Sequence, residues 1–263
     1  MSRTMVIFGR ELRELRLNRT FFQTMAVFPV LMIGLPIVAI VFFNIALNGV
    51  VNSKAIADGV ISEAGAISGN STADILGAVV AICLSFFLPV PMVLPMTIAS
   101  YSLVGEKEKK SLEPLLVTPI KTSELLIGKA LSAVVPTVAL CWGSFLVLIL
   151  IIRLLLNDDV LKVVDLGVWT ATVLSWTPLL ALMTALVGVI LSSRAKDARA
   201  AQQTGSLMVL PLLVVVLGLA FGYIKIGWNW CIAGIAIGLI IDILLYRLAL
   251  RVFQRENILT RWK

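Results

Sequence analysis

The chain has 263 residues, 59% of them hydrophobic and only 14% charged, whereas an ordinary soluble domain carries roughly a quarter charged residues. The complete absence of histidine excludes His-based acid–base chemistry, the Ser/His/Asp triad and the commonest metal ligand. The formal net charge of +7 does not indicate nucleic acid, because no basic stretch is interleaved with base-stacking aromatics and the positive residues flank long apolar runs.

The first element, residues 1–20, is basic. Met5, Phe8, Leu12 and Leu15 recur at helical spacing, while Arg10, Glu11, Arg13, Glu14 and Arg16 occupy the other face. That pattern predicts an amphipathic helix lying on the inner membrane interface. The charged stretch is long, the apolar run after it has full spanning length and no small-residue cleavage site follows, so it reads as a retained segment rather than a signal peptide.

Six segments then reach the roughly 20 apolar residues needed to cross about 30 Å of hydrocarbon: 21–47, 75–104, 130–152, 166–193, 200–224 and 226–246. Pro29, Pro36, Pro89, Pro91, Pro95, Pro136, Pro178 and Pro211 lie within them, which predicts kinked helices, above all in span two. Gly218 with Gly222 and Gly234 with Gly238 have the spacing that lets helices approach closely. Trp169, Trp228 and Trp230 fall at span ends, where amphipathic rings anchor in the headgroups. Cys83, Cys141 and Cys231 each lie inside an apolar run without a CxxC partner, which predicts small buried side chains and no disulfide or zinc site.

Lys and Arg set the orientation. Eighteen lie in the N-terminal arm, the loop after span two, the loop after span four and the C-terminal end, against four (Lys54, Arg153, Lys162, Lys225) on the opposite side. The expectation is an all-α, multi-pass plasma-membrane protein with both ends in the cytoplasm and a single transmembrane domain over residues 1–263. The outer segments 48–74 and 153–165 are too short for an external receptor domain.

The loop after span two, residues 105–129, reads GEKEKKSLEPLLVTPIKTSELLIGK. Alternating charges from Glu106 through Glu108 to Lys110 favour a solvated helix through pairs such as Glu106 with Lys110. The loop then turns apolar at Leu112, Leu115, Leu116 and Val117, breaks at Thr118-Pro119, and restarts as a helix at Thr122 or Ser123 with Glu124 in its first turn. A short amphipathic helix facing the cytoplasm between two spans is a surface for a partner.

These residues resemble the permease subunits of type 2 ABC transporters. Members of that family carry, between spans two and three, an acidic–basic stretch, a small hydroxyl residue, Leu-Glu, two leucines, Thr/Ser-Pro and a Glu-Leu-Leu-x-Gly-Lys run. Here these are Glu106 to Lys110, Ser111, Leu112-Glu113, Leu115-Leu116, Thr118-Pro119 and Glu124 to Lys129. The C-terminal tail, with Phe253, Arg255, Glu256, Ile258, Leu259 and Thr260, is similar to that of sodium-efflux-type members. Lys110 stands where many members have glycine, and residues 222–230 leave little room for the re-entrant helices of some members.

The resemblance implies a dimer, homomeric or with a second permease, whose loop at residues 105–125 receives the stroke of a separate ATP-binding subunit. The implied coupling residues are Glu106, Glu108, Ser111, Leu112, Glu113, Leu115, Leu116, Thr118 and Pro119. The chain has no GxxxxGK[ST], since Gly128-Lys129 is followed by Ala130 and lacks the upstream glycine. ATP and Mg are therefore expected on the partner, with no cofactor and no enzymatic site on this chain.

Asp242 is the one acid in the interior of a span, and such a group is a functional suspect. Its nearness to Arg247 and Tyr246 predicts a structural ion pair at the inner rim. A secondary, ion-coupled transporter is the alternative reading and would need carboxylates at the bilayer midplane, where only Asp242 offers itself. An intramembrane enzyme would need convergent catalytic groups that the spans lack.

Overall fold

Hydrocarbon offers no hydrogen bonds, so a chain this apolar has to satisfy its backbone within each segment. The computed structural model describes residues 3–17, 19–52, 72–108, 122–156, 158–194, 198–220 and 227–252, and every regular element among them is helical. In chain order these are α1 (Arg3–Leu17), α2 (Arg19–Asn52), α3 (Thr72–Ser85), α4 (Val90–Glu108), α5 (Thr122–Leu155), α6 (Asp158–Val163), α7 (Leu166–Arg194), α8 (Ala198–Ser206), α9 (Val209–Ala220) and α10 (Trp228–Val252).

Six stretches of the described residues are long and apolar enough to cross a membrane: Val27–Leu47, Asp74–Ser100, Ser123–Leu155, Leu166–Ser193, Ala200–Leu219 and Trp228–Val252. They fall on the six segments expected from the sequence. The third differs in its start. Because α5 runs unbroken from Thr122, the helix expected to restart at the end of the loop is the first part of span three itself. Residues 221–226, between spans five and six and including Gly222, lie outside the described residues.

Span two is interrupted close to its middle. After α3 the backbone tightens, with Phe87 N–H donating to Leu84 C=O at 3.1 Å and Leu88 N–H to Ser85 C=O at 3.1 Å, and α4 starts beyond Pro89. Pro89 and Pro91 have no N–H to continue the ladder and Pro89 restricts Leu88 before it, so the expected kink becomes a break. Pro29, Pro36, Pro136 and Pro178 are carried inside continuous helices instead. Span five is also interrupted, at Leu207-Met208, where Met208 N–H donates to Gly205 C=O at 3.0 Å.

The helix α7 is the hub, with α4, α5, α8 and α10 packed around it. Spans two and four form the interior, while spans one, five and six line the rim. Apolar side chains such as Val30, Phe42, Leu154, Val214 and Ile232 point away from the bundle, which costs nothing where the solvent is hydrocarbon.

Two clusters hold the bundle. One joins Ile98 and Ala99 of α4, Ala130 and Ala133 of α5, Ala181 and Ala185 of α7, and Ala249 of α10. Alanine recurs here because helices in lipid associate through close backbone approach, not through exclusion of water. The other cluster uses bulk, with Phe87 edge-on to Phe145 at 5.5 Å between centroids and Ile40, Leu84, Leu148 and Trp169 around them. Trp169 is therefore a core residue, correcting its expected place as a headgroup anchor. Trp228 and Trp230 are exposed at the start of α10.

Three interior threonines satisfy their hydroxyls within their own helices: Thr137 donates to Ala133 C=O at 2.8 Å, Thr172 to Val168 C=O at 2.8 Å and Thr184 to Leu180 C=O at 2.9 Å; the buried Ser100 Oγ has no such partner among the described residues. The three cysteines are buried and free, as their positions in apolar runs predict.

Candidate functional site

The loop expected to meet an ATP-binding subunit is flanked by two described helices, α4 and α5. Glu106 and Glu108 lie in the last turns of α4, while Ser111, Leu112, Glu113, Leu115, Leu116, Thr118 and Pro119 lie outside the described residues. The loop rejoins the structure at Thr122, the first residue of α5. Its flanking helices meet in the alanine-rich cluster, where Ile98 and Ala99 of α4 pack with Leu126 and Ala130 of α5. The loop thus leaves and re-enters one end of the bundle, the end at which α10 also finishes.

At that end α1 docks directly on α5. A Cβ on Gly128 would meet Ile7 Cγ2 at 2.8 Å, Ile7 Cβ at 3.0 Å and the carbonyl oxygen of Thr4 at 3.4 Å, so only glycine lets the two helices approach this closely. One residue on, Lys129 Nζ donates to Glu11 Oε1 at 2.9 Å, with the two side chains 3% and 6% exposed. Thr4, Ile7 and Glu11 sit one helical turn apart and form the docking stripe. Met5 and Leu12 point outward, as they do in a helix whose apolar face meets lipid. Glu11 is the correction here: instead of lying on a solvated face it is buried.

The sequence supplied the signal for this contact in the Gly128-Lys129 dipeptide, but not its partner. Lys129 counts among the loop's positive charges in any tally of topology, yet it is 4% exposed. A lysine taken out of water this far is retained only when paired, and its partner comes from the N-terminal helix, 118 residues away.

Asp242 takes an unexpected position. It is 5% exposed, and neither carboxylate oxygen has a hydrogen-bond partner among the described residues. The expected ion pair with Arg247 is not formed. Five residues along a helix correspond to about 140° of rotation at roughly 100° per residue, which turns Arg247 to the exposed side of α10.

The contact between α10 and α7 is set by two glycines. A Cβ on Gly234 would run into the Trp176 ring, and one on Gly238 would meet Leu179 Cδ1 at 3.2 Å, so this pair is the packing device its spacing predicts. Trp176 Nε1 also donates to Cys231 C=O at 3.2 Å. Beside it, Leu88 at the break in span two, Thr172, Val215, Leu219 and Trp230 line a small, open hollow with room for no more than about one water molecule. Among the described residues no three His, Cys, Asp or Glu side chains converge as metal ligands would.

The family model described as ABC-2 family transporter protein matches residues 5–226 of the chain. A comparison with curated proteins returned no match.

Proposed function

The chain belongs to the ABC-2 family of transporter proteins, and from that membership we propose that it is the membrane-spanning permease subunit of an exporter driven by ATP hydrolysed on a separate subunit. The observation that carries the reading is the buried Glu11–Lys129 pair, together with the glycine contact beside it. It ties the N-terminal helix to the first turns of span three, immediately after the loop that carries Leu115 and Leu116.

In this reading the apolar half of the loop, Leu112 to Val117, is covered by the ATP-binding subunit. A displacement of the loop is passed to α5, which α1 and Lys129 hold as one unit, and from α5 through the alanine-rich cluster to α7. ATP and Mg reside on the partner. Two copies of the permease, or this chain with a second permease, enclose the path. In this reading both termini and the loop face the cytoplasm of a plasma-membrane protein, an orientation that the eighteen-to-four distribution of Lys and Arg supports.

The buried, unpartnered carboxyl of Asp242 favours one competing reading, an ion-coupled secondary transporter. Two experiments decide. Changing Leu115 and Leu116 together to Asp should abolish pull-down of the ATP-binding subunit while membrane insertion continues; retained binding overturns the loop assignment. In proteoliposomes, transport should require both the ATP-binding subunit and ATP. Transport driven by a pH or sodium gradient alone overturns the ATP-driven reading.

A further inference from the structure

Asp242 lies one turn beyond the contact of Gly238 with Leu179 and just before Leu245 and Tyr246, which pack on the alanine-rich cluster. Its side chain is closed off, and both oxygens are without a hydrogen-bond partner. Among the described residues, the charges that could compensate a carboxylate there are few and turned elsewhere. From Leu166 to Ser193, α7 has no ionisable side chain. The second neighbour, α5, carries Glu124, Lys129, Cys141 and Arg153; Lys129 is engaged by Glu11, Arg153 is exposed at the far end of the helix and Cys141 is a buried thiol. On α10 itself Arg247 and Arg251 are exposed, Tyr246 is one turn away, and Cys231 lies about three turns back.

An ionised carboxylate in this seam would be a charge with neither water nor counter-ion, the most costly arrangement a membrane-spanning helix can hold. The neutral acid sacrifices only ordinary hydrogen bonds. We propose that Asp242 is a proton-binding site, which keeps its proton at neutral pH while α7 and α10 are packed and releases it to water when the seam between them opens. On opening, the carboxyl O–H bond breaks, the proton passes to bulk water and the negative charge left on the carboxylate is solvated by the water that enters.

Linkage fixes the sign. The packed form holds one proton more than the opened form, so raising the pH favours opening and lowers the stability of the packed seam. An asparagine cannot exchange a proton, and Asp242→Asn removes this dependence.

The site goes beyond the permease reading, and its test needs neither nucleotide nor an ATP-binding subunit, so either can fail without the other. Infrared spectra are recorded on the purified chain in lipid at neutral pH, with and without carbon-13 aspartate. A carbonyl band of a protonated acid that shifts with the label and is lost in Asp242→Asn is the expected result. Absence of any label-sensitive acid band in the unaltered protein, which requires no variant to fold, overturns the proposal. So does a band that persists in Asp242→Asn, since it then belongs to another aspartate. Thermal unfolding between neutral and alkaline pH gives an independent reading: the unaltered protein should lose stability more steeply than Asp242→Asn, and parallel losses overturn the linkage.

Discussion

Glu11 and Lys129 stand 118 residues apart in the chain and meet at 2.9 Å in a site that excludes solvent from both. Removing one partner takes this ion pair away from a charge that stays buried, and breaking a buried pair from one side costs about 3–5 kcal/mol. Lys129→Met and Glu11→Gln should each lower the unfolding temperature in detergent by several degrees. The double substitution should be milder than the two losses added together, because the shared ion pair can be lost only once. Strict additivity of the two losses would show that the pair is not energetically coupled.

The glycine beside that lysine sets how closely α1 can lie. Gly128→Ala places a methyl group against the β-branched Ile7, whose χ1 freedom in a helix is small, so the strain falls on the packing of α1, at a cost of about 1–3 kcal/mol. Limited proteolysis should cut α1 faster in Gly128→Ala, and adding Ile7→Ala should restore much of the protection. A Gly128→Ala protein with unchanged protection and unchanged stability contradicts the close docking.

A similar test applies at the seam of α7 and α10. Gly234→Ala drives a methyl group into the ring of Trp176, which cannot move without losing its hydrogen bond to Cys231 C=O. Destabilisation is expected, with Trp176→Leu in the same chain recovering part of it. If Gly234→Ala alone is as stable as the unaltered protein, the helices do not cross at these residues.

Topology is tested by labelling. In a background lacking Cys83, Cys141 and Cys231, single cysteines at Ser53 and Asp159 should react with an impermeant reagent from outside intact cells. Cysteines at Ser111 and Thr260 should react only after permeabilisation. Any reversal at one of these positions refutes the orientation drawn from the Lys and Arg distribution.

The spans and their number were legible in the sequence, and the interruption of span two at Pro89 and Pro91 in part, as a kink where the structure has a break, because each depends on residues that are neighbours in the chain. The start of α5 at Thr122 was legible for the same reason, from the hydroxyl residue and Glu124 at its first turn. The break in span five had a weaker signal, Gly205-Ser206 just ahead of the apolar run. Asp242 stands out in the sequence as a suspect, but its expected ion pair does not form, since proximity in sequence to Arg247 ignores the rotation of the helix between them.

What the sequence alone determined is the one-dimensional layout: an apolar run of sufficient length must become a helix across the bilayer, since a rise of about 1.5 Å per residue has to span about 30 Å of hydrocarbon. Which face of each helix turns inward was decided only by the tertiary structure. In a water-soluble helix the buried face announces itself by being apolar, whereas in lipid both the buried and the exposed faces are apolar and that contrast is lost. The placement of Trp169 in the core, of Glu11 against Lys129 and of Asp242 against α7 therefore follows from how small residues such as Gly128, Gly234 and the alanines of α5 and α7 let particular helices close on one another.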